Sequence, residues 1–211
     1  RLVQTREVTH TASGSLSTEL GWVAGNSTVA SIRDEVGADL VVFMSDKDDT
    51  GTYGIAYQLT STSGNSGQAF SAIYYDVVGG VWPHEAGHNL GCQHNSPGVY
   101  SYSSGHYWLD DGGNGNTYGS LMSYIGIRVP YFSNPDVSHW SGVTGTSSRD
   151  NARSIDNIGD NVAAYRSAKT LVEPSCTVTT STTKPVEGVD FTLSIKTVNG
   201  GPSSLTAGRI V

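Results

Sequence analysis

His84-Glu85-Ala86-Gly87-His88-Asn89-Leu90-Gly91-Cys92-Gln93-His94 is the stretch from which this 211-residue chain is best read. His84 and His88 are four residues apart, so a helix projects both imidazoles from one face toward a single metal ion. Glu85 follows the first histidine, where a carboxylate stands near the ion but off the ligand axis. There it can hold a polarised water and take its proton. Helical spacing cannot bring His94 to the same point, so the chain must turn. Gly91 sits where a positive φ ends a helix and redirects the backbone. Three neutral imidazoles leave one position open, as in a catalytic zinc site and unlike a closed structural one.

A second signal lies downstream. Met122, one of two methionines, occurs in Gly119-Ser120-Leu121-Met122-Ser123-Tyr124. H-E-x-x-H-x-x-G-x-x-H followed by this Ser-x-Met-Ser-Tyr resembles the metzincin clan of zinc endopeptidases and its methionine turn. The resemblance implies that Met122 forms an apolar floor beneath the metal. It implies for Tyr124 the role of the equivalent tyrosine in astacin- and serralysin-like members, which ligates the resting metal and hydrogen-bonds the oxyanion. Ile32-Arg33-Asp34-Glu35-Val36-Gly37-Ala38-Asp39-Leu40-Val41 and Arg128-Val129-Pro130-Tyr131-Phe132-Ser133-Asn134-Pro135 narrow the likeness. They are similar to the reprolysin-like and peptidyl-Asp branch of bacterial secreted metzincins, over roughly residues 2–168.

The implied fold is α+β: a twisted mixed sheet with an active-site helix, the methionine turn and a C-terminal helix, followed by a short β stub. Residues 54–59 are the expected antiparallel edge strand, where Gly54, Ile55 and Ala56 offer free backbone groups to an extended substrate. Residues 125–135 would line the S1′ pocket. Arg128 is the single charge there, and a cation at that position favours Asp or Glu after the scissile bond.

Working outward, residues 2–10 are β-branched and partly alternating, which predicts a strand. Asn26 or Ser27 can cap a helix bearing Val29, Ile32 and Val36 and ending at Gly37. Residues 39–44 and 69–76 read as further strands, with Pro83 at or near the first turn of the active-site helix. Residues 149–169 carry apolar positions at near-helical spacing and predict the C-terminal helix. Composition then shifts. Residues 1–172 are expected as the catalytic domain, 173–185 as a Ser/Thr/Pro-rich linker, and 186–211 as the β stub of a truncated immunoglobulin-like domain.

A net charge of −7 and only 15% charged residues leave no basic patch for nucleic acid or an anionic membrane. No apolar run approaches the roughly 20 residues of a membrane span. Polar, lysine-poor loops and a start at Arg1 without a leader predict a processed, secreted, extracellular protein acting as a monomer on proteins or peptides. Oxygen ligands in the acidic, glycine-rich run 110–116 could hold calcium, but the run does not fit the twelve-residue EF loop and reads as a solvated flexible loop, as does the cluster of Asp46, Asp48 and Asp49. Cys92 and Cys176 are the two cysteines. An even count in a secreted chain favours a bridge, while a reduced pair or a Cys92–metal contact also fits.

The expected function is zinc-dependent endopeptidase, with Glu85 as general base and no covalent intermediate, since no G-x-S-x-G elbow is present. Two alternatives belong to other classes. One is a non-catalytic zinc-containing matrix- or adhesion-binding module, to which Glu85 would be useless. The other is a zinc amidase on a small substrate, for which an edge strand is unnecessary.

Overall fold

The computed structural model describes residues 2–46, 51–75, 78–110, 113, 115–139, 142–169, 175–180 and 193–198, with 78–79, 175–180 and 193–198 described by backbone alone. Two compact units result, Leu2–Ser167 and Ala168–Val211.

In the first unit two short helices precede the sheet. Helix α1 (Leu16–Gly25) buries Leu16, Glu19, Leu20 and Val23, positions that recur every three or four residues. It was not expected. Gly21 and Gly25 lower its intrinsic propensity, and packing against the sheet compensates. Leu16, Leu20 and Val23 join Val29, Phe70 and Ala72 in one apolar cluster, each large side chain contributing roughly 1.5–3 kcal/mol by burial. Helix α2 (Ser27–Val36) begins as anticipated, the Asn26 Oδ1 accepting from the backbone N–H of Thr28 (3.0 Å) and Val29 (3.1 Å). It ends at Gly37, whose φ of 67° gives a left-handed cap.

The sheet is mixed and three-stranded, in the order β1-β3-β2. β1 (Val41–Ser45) runs parallel to β3 (Phe70–Tyr74), and β2 (Gly54–Ala56) runs antiparallel to it. β2 is thus an edge, shorter than the 54–59 expected. Residues 2–10, predicted as a strand, pair with no strand among the described residues. β-branched composition fits a pleated surface but cannot supply a ladder without a partner. The segment is tied down at its end instead, where His10 Nε2 meets Glu19 Oε2 at 2.5 Å and its ring stacks on Trp22.

Helix α3 (Val78–Asn89) carries the first two histidines. Pro83 lies inside it rather than at its start. The helix gains an upstream turn, and Pro83 has only one N–H to forgo near the N-terminal end. A second mixed sheet, β4 (Tyr107–Leu109), β5 (Thr117–Gly119) and β6 (Ile127–Arg128), follows. Trp108, Tyr118 and Val129 are buried on it. A short hairpin, β7 (Ser138–His139) with β8 (Gly142–Val143), leads to helix α4 (Asn151–Ala163). Asp150 caps α4 through Arg153 N–H at 3.0 Å, and Ile158 and Val162 bury against Leu59. α4 stops before residue 169. Tertiary hydrogen bonds capture its tail: Tyr165 Oη accepts from Asn65 N–H (2.7 Å), and Arg166 N–H donates to Asp39 Oδ1 (3.0 Å).

In the second unit, β9 (Ser175–Thr180), inside the stretch read as linker, pairs antiparallel with β10 (Leu193–Val198).

Candidate metal centre

α3 presents His84 and His88 on one face, and Gly91, at φ 80°, turns the chain back toward them. A Cβ at Gly91 would stand 2.4 Å from Val99 Cγ1, so both conformation and space require glycine. The turn delivers His94. Its Nε2 lies 3.0 Å from Nε2 of His84 and 3.0 Å from Nε2 of His88. Two nitrogens bound tetrahedrally to one zinc lie roughly 3.3 Å apart, so the spacing fits a shared ion.

The other ring nitrogens decide the tautomers. His84 Nδ1 faces the Leu121 carbonyl at 2.9 Å. His88 Nδ1 faces the Cys92 carbonyl at 3.0 Å and Gln58 Oε1 at 2.9 Å. A carbonyl only accepts, so both Nδ1 atoms carry the proton and both Nε2 atoms present lone pairs. Lone pairs aimed at one point repel unless a cation sits there. Burial supports the neutral ligand form, holding His84 down at about 4, His94 at about 3 and His88 below its usual value. Among the described residues these three form the one cluster of three or more such groups able to hold a metal.

Glu85 is buried beside them. Burial pushes its carboxyl up to about 7, against the opposing pull of Arg128. It lines a cleft of about 360 Å³ with Tyr53, Gly54, Val81, His84, Tyr124 and Arg128. Gly54 on edge strand β2 is pressed against the helix, since a Cβ there would meet Val81 Cγ1 at 2.5 Å and Glu85 Oε1 at 2.6 Å. Ile55 and Ala56 continue the edge, half-buried. Tyr124, mostly exposed, stacks on His94 with ring centroids 3.8 Å apart. Met122 is fully buried, its Sδ filling the space that a Cβ would need on Gly87, the residue just before His88.

One expectation is corrected. Cys92 carries a free, buried thiol directed at the Asn151 carbonyl 3.8 Å away. The bridge expected to Cys176 finds no support, since Cys92 is a free thiol and the Cys176 side chain lies outside the described residues, and Cys92 is not among the metal-facing groups. Burial raises the thiol's pKa, which keeps it protonated and unreactive. Of the calcium candidates, Asp48, Asp49, Asp111, Gly112 and Asn114 lie outside the described residues, while Asp110 is buried within its own turn. Gln58 lay within the expected edge strand 54–59 but was not anticipated as a site residue, because nothing local distinguishes it from any other glutamine.

Comparison with known proteins follows the same line. The family model Reprolysin_5, metallo-peptidase family M12, matches residues 3–133, more than half of the chain. Among curated proteins none matches. A chain solved in "Structure of a chaperone-substrate complex" superposes with a TM-score of 0.57 at 19% identity, covering 72% of this chain and 25% of that one. At that identity the likeness speaks for fold alone. The present chain spans about a quarter of that chain's length.

Proposed function

This chain belongs to metallo-peptidase family M12, and we propose that it is a zinc-dependent endopeptidase that cleaves extended protein or peptide substrates outside the cell, as a monomer. The observation that carries the reading is the convergence of three histidine Nε2 atoms on one point, with the buried Glu85 carboxyl beside them on a cleft. His84, His88 and His94 would hold the ion, which when bound supplies a Lewis acid that polarises a carbonyl and acidifies water.

The protein's own groups do the rest. The backbone of edge strand β2 offers N–H and C=O groups to an extended peptide, laying it along the cleft. Glu85 takes a proton from the attacking water and hands it to the leaving amine. A carboxyl held near 7 serves both transfers. The Tyr124 hydroxyl donates to the oxyanion as the carbonyl becomes tetrahedral, a donor worth about 3 kcal/mol in such sites. The buried Met122 keeps the floor of the site apolar and closed to water. Arg128, at the cleft wall, favours an acidic side chain after the scissile bond.

The test is mass-spectrometric mapping of cuts in a denatured proteome by the zinc-loaded chain and by Glu85→Ala. The expected outcome is cleavage by the native chain and a loss of about 10²–10⁴-fold in the variant, with one zinc bound to each. Equal cutting by both removes Glu85 from the mechanism. Zinc binding without any cutting returns the chain to the binding-module reading.

A further inference from the structure

Two contacts between one strand segment and helix α3 do separate things to the site. At one end, Gly54 lies where any Cβ would stand 2.5 Å from Val81 Cγ1, 2.6 Å from Glu85 Oε1 and 2.8 Å from Glu85 Cγ. Its φ is not left-handed, so the backbone conformation is open to any residue. Space alone demands glycine. Four residues on, Gln58 Oε1 accepts from His88 Nδ1 at 2.9 Å, while its Nε2 donates to the Leu59 carbonyl at 3.0 Å. The amide is held at both ends and its orientation follows. Through these contacts residues 54 and 58 both meet helix α3, and the segment is pinned to the helix by Leu59 N–H donating to the His88 carbonyl at 3.0 Å.

We propose that residues 54–58 are a positioning rail for the metal helix, Gly54 setting where the Glu85 carboxylate stands and Gln58 setting how the His88 imidazole faces. The proposal rests on the endopeptidase reading for its Gly54 half. Its Gln58 half requires only that the three histidines bind zinc. Gly54 and Gln58 are positioning residues, acting through Glu85 and His88 rather than on substrate. The same segment carries the edge of the sheet, so the backbone a peptide would dock on is the one that fixes both groups.

The two halves leave different signatures. Gln58→Leu removes the acceptor and keeps the volume. It is expected to raise the zinc dissociation constant about tenfold, the lower part of the range for such outer partners because the Cys92 carbonyl still accepts. Gln58→Glu keeps an acceptor on His88 and is expected to bind zinc at least as tightly as the native chain. Gly54→Ala is expected to leave zinc affinity within twofold and KM within about threefold while kcat falls about a hundredfold, a loss of the size that misplacing a catalytic group produces. Adding Val81→Ala, which removes the methyl closest to the new Cβ, recovers part of that kcat.

Zinc competition titrations, kinetics on a fixed peptide and thermal melts of each metal-free variant are the measurements. Unchanged zinc affinity in Gln58→Leu, or a Gln58→Glu variant as weak as Gln58→Leu, overturns the first half. Native kcat in Gly54→Ala, or a loss confined to KM or zinc content, overturns the second. So does failure of Val81→Ala to restore any kcat. A native chain that binds zinc and cuts no peptide defeats the endopeptidase reading and the Gly54 half with it, and leaves the Gln58 half to the titrations.

Discussion

Single residues in this site are held by space as much as by chemistry. Gly91 combines a φ of 80° with Val99 Cγ1 2.4 Å from any Cβ. Gly91→Ala therefore strains the turn that delivers His94, and is expected to cost about 1–3 kcal/mol of stability together with weaker zinc binding. Denaturant melts and zinc titration check both, and native values for each would show that the turn relaxes freely. Arg128 is a case of charge. It lines the cleft beside Glu85, and its field is felt at Glu85, His84 and His94. Arg128→Ala is expected to lower kcat/KM about tenfold or more for peptides with Asp or Glu after the cut, with neutral residues there little affected. Peptide libraries varied at that position decide it, and an equal loss on neutral peptides means Arg128 reads no charge.

At the scale of elements, the helices differ in what makes them form. α2 has a strong local start, since Asn26 satisfies two otherwise unpaired N–H groups and Gly37 ends it. Asn26→Ala is expected to lose about 1 kcal/mol in urea unfolding, with zinc binding intact because α2 carries no ligand. A loss of zinc would instead tie α2 to the site. α1 depends on its surroundings. Glu19, fully buried at its first turn, is desolvated, yet its carboxyl sits below the usual value because Ser13 donates from both N–H and hydroxyl and His10 faces it. Such partners are nine or fewer residues away but lie outside the helix, so helical periodicity does not register them.

For the molecule as a whole, the buried groups set a pH dependence whose sign can be worked out. His84, His88 and His94 all fall below the ordinary 6.5, to about 4 for His84 and about 3 for His94. As pH drops below 6.5 the unfolded chain takes up protons that the folded chain refuses, so these three destabilise the metal-free fold progressively, down to about 4 for His84 and about 3 for His94. Glu85, raised from 4.5 to about 7, works oppositely, because the folded chain holds its proton more tightly between those values. Glu19, held below 4.5, contributes stability above that value and loses it as pH falls further. Three histidines outnumber one glutamate in the window from 6.5 to 4.5. Calorimetry of the chelated protein is expected to show a lower Tm at pH 5 than at pH 7. An equal or higher Tm at pH 5 would mean that Glu85 outweighs the histidines.

By itself the sequence determined what depends on covalent spacing. His84 and His88 share a helix face because 3.6 residues make a turn, Gly91 turns because only glycine tolerates that φ without strain, and Asn26 caps because its side chain reaches its own next N–H groups. Tertiary structure decided whatever depends on partners distant along the chain. Residues 2–10 had the composition of a strand and found no ladder among the described residues. Cys92 had a possible mate and was sealed as a free thiol beneath the Asn151 carbonyl. The Leu121 carbonyl that orients His84 lies 37 residues from it, and Gln58 lies 30 residues from His88. Periodicity carries information over a few turns of chain, whereas the orientation of a ligand is set by whichever groups packing brings within hydrogen-bond reach.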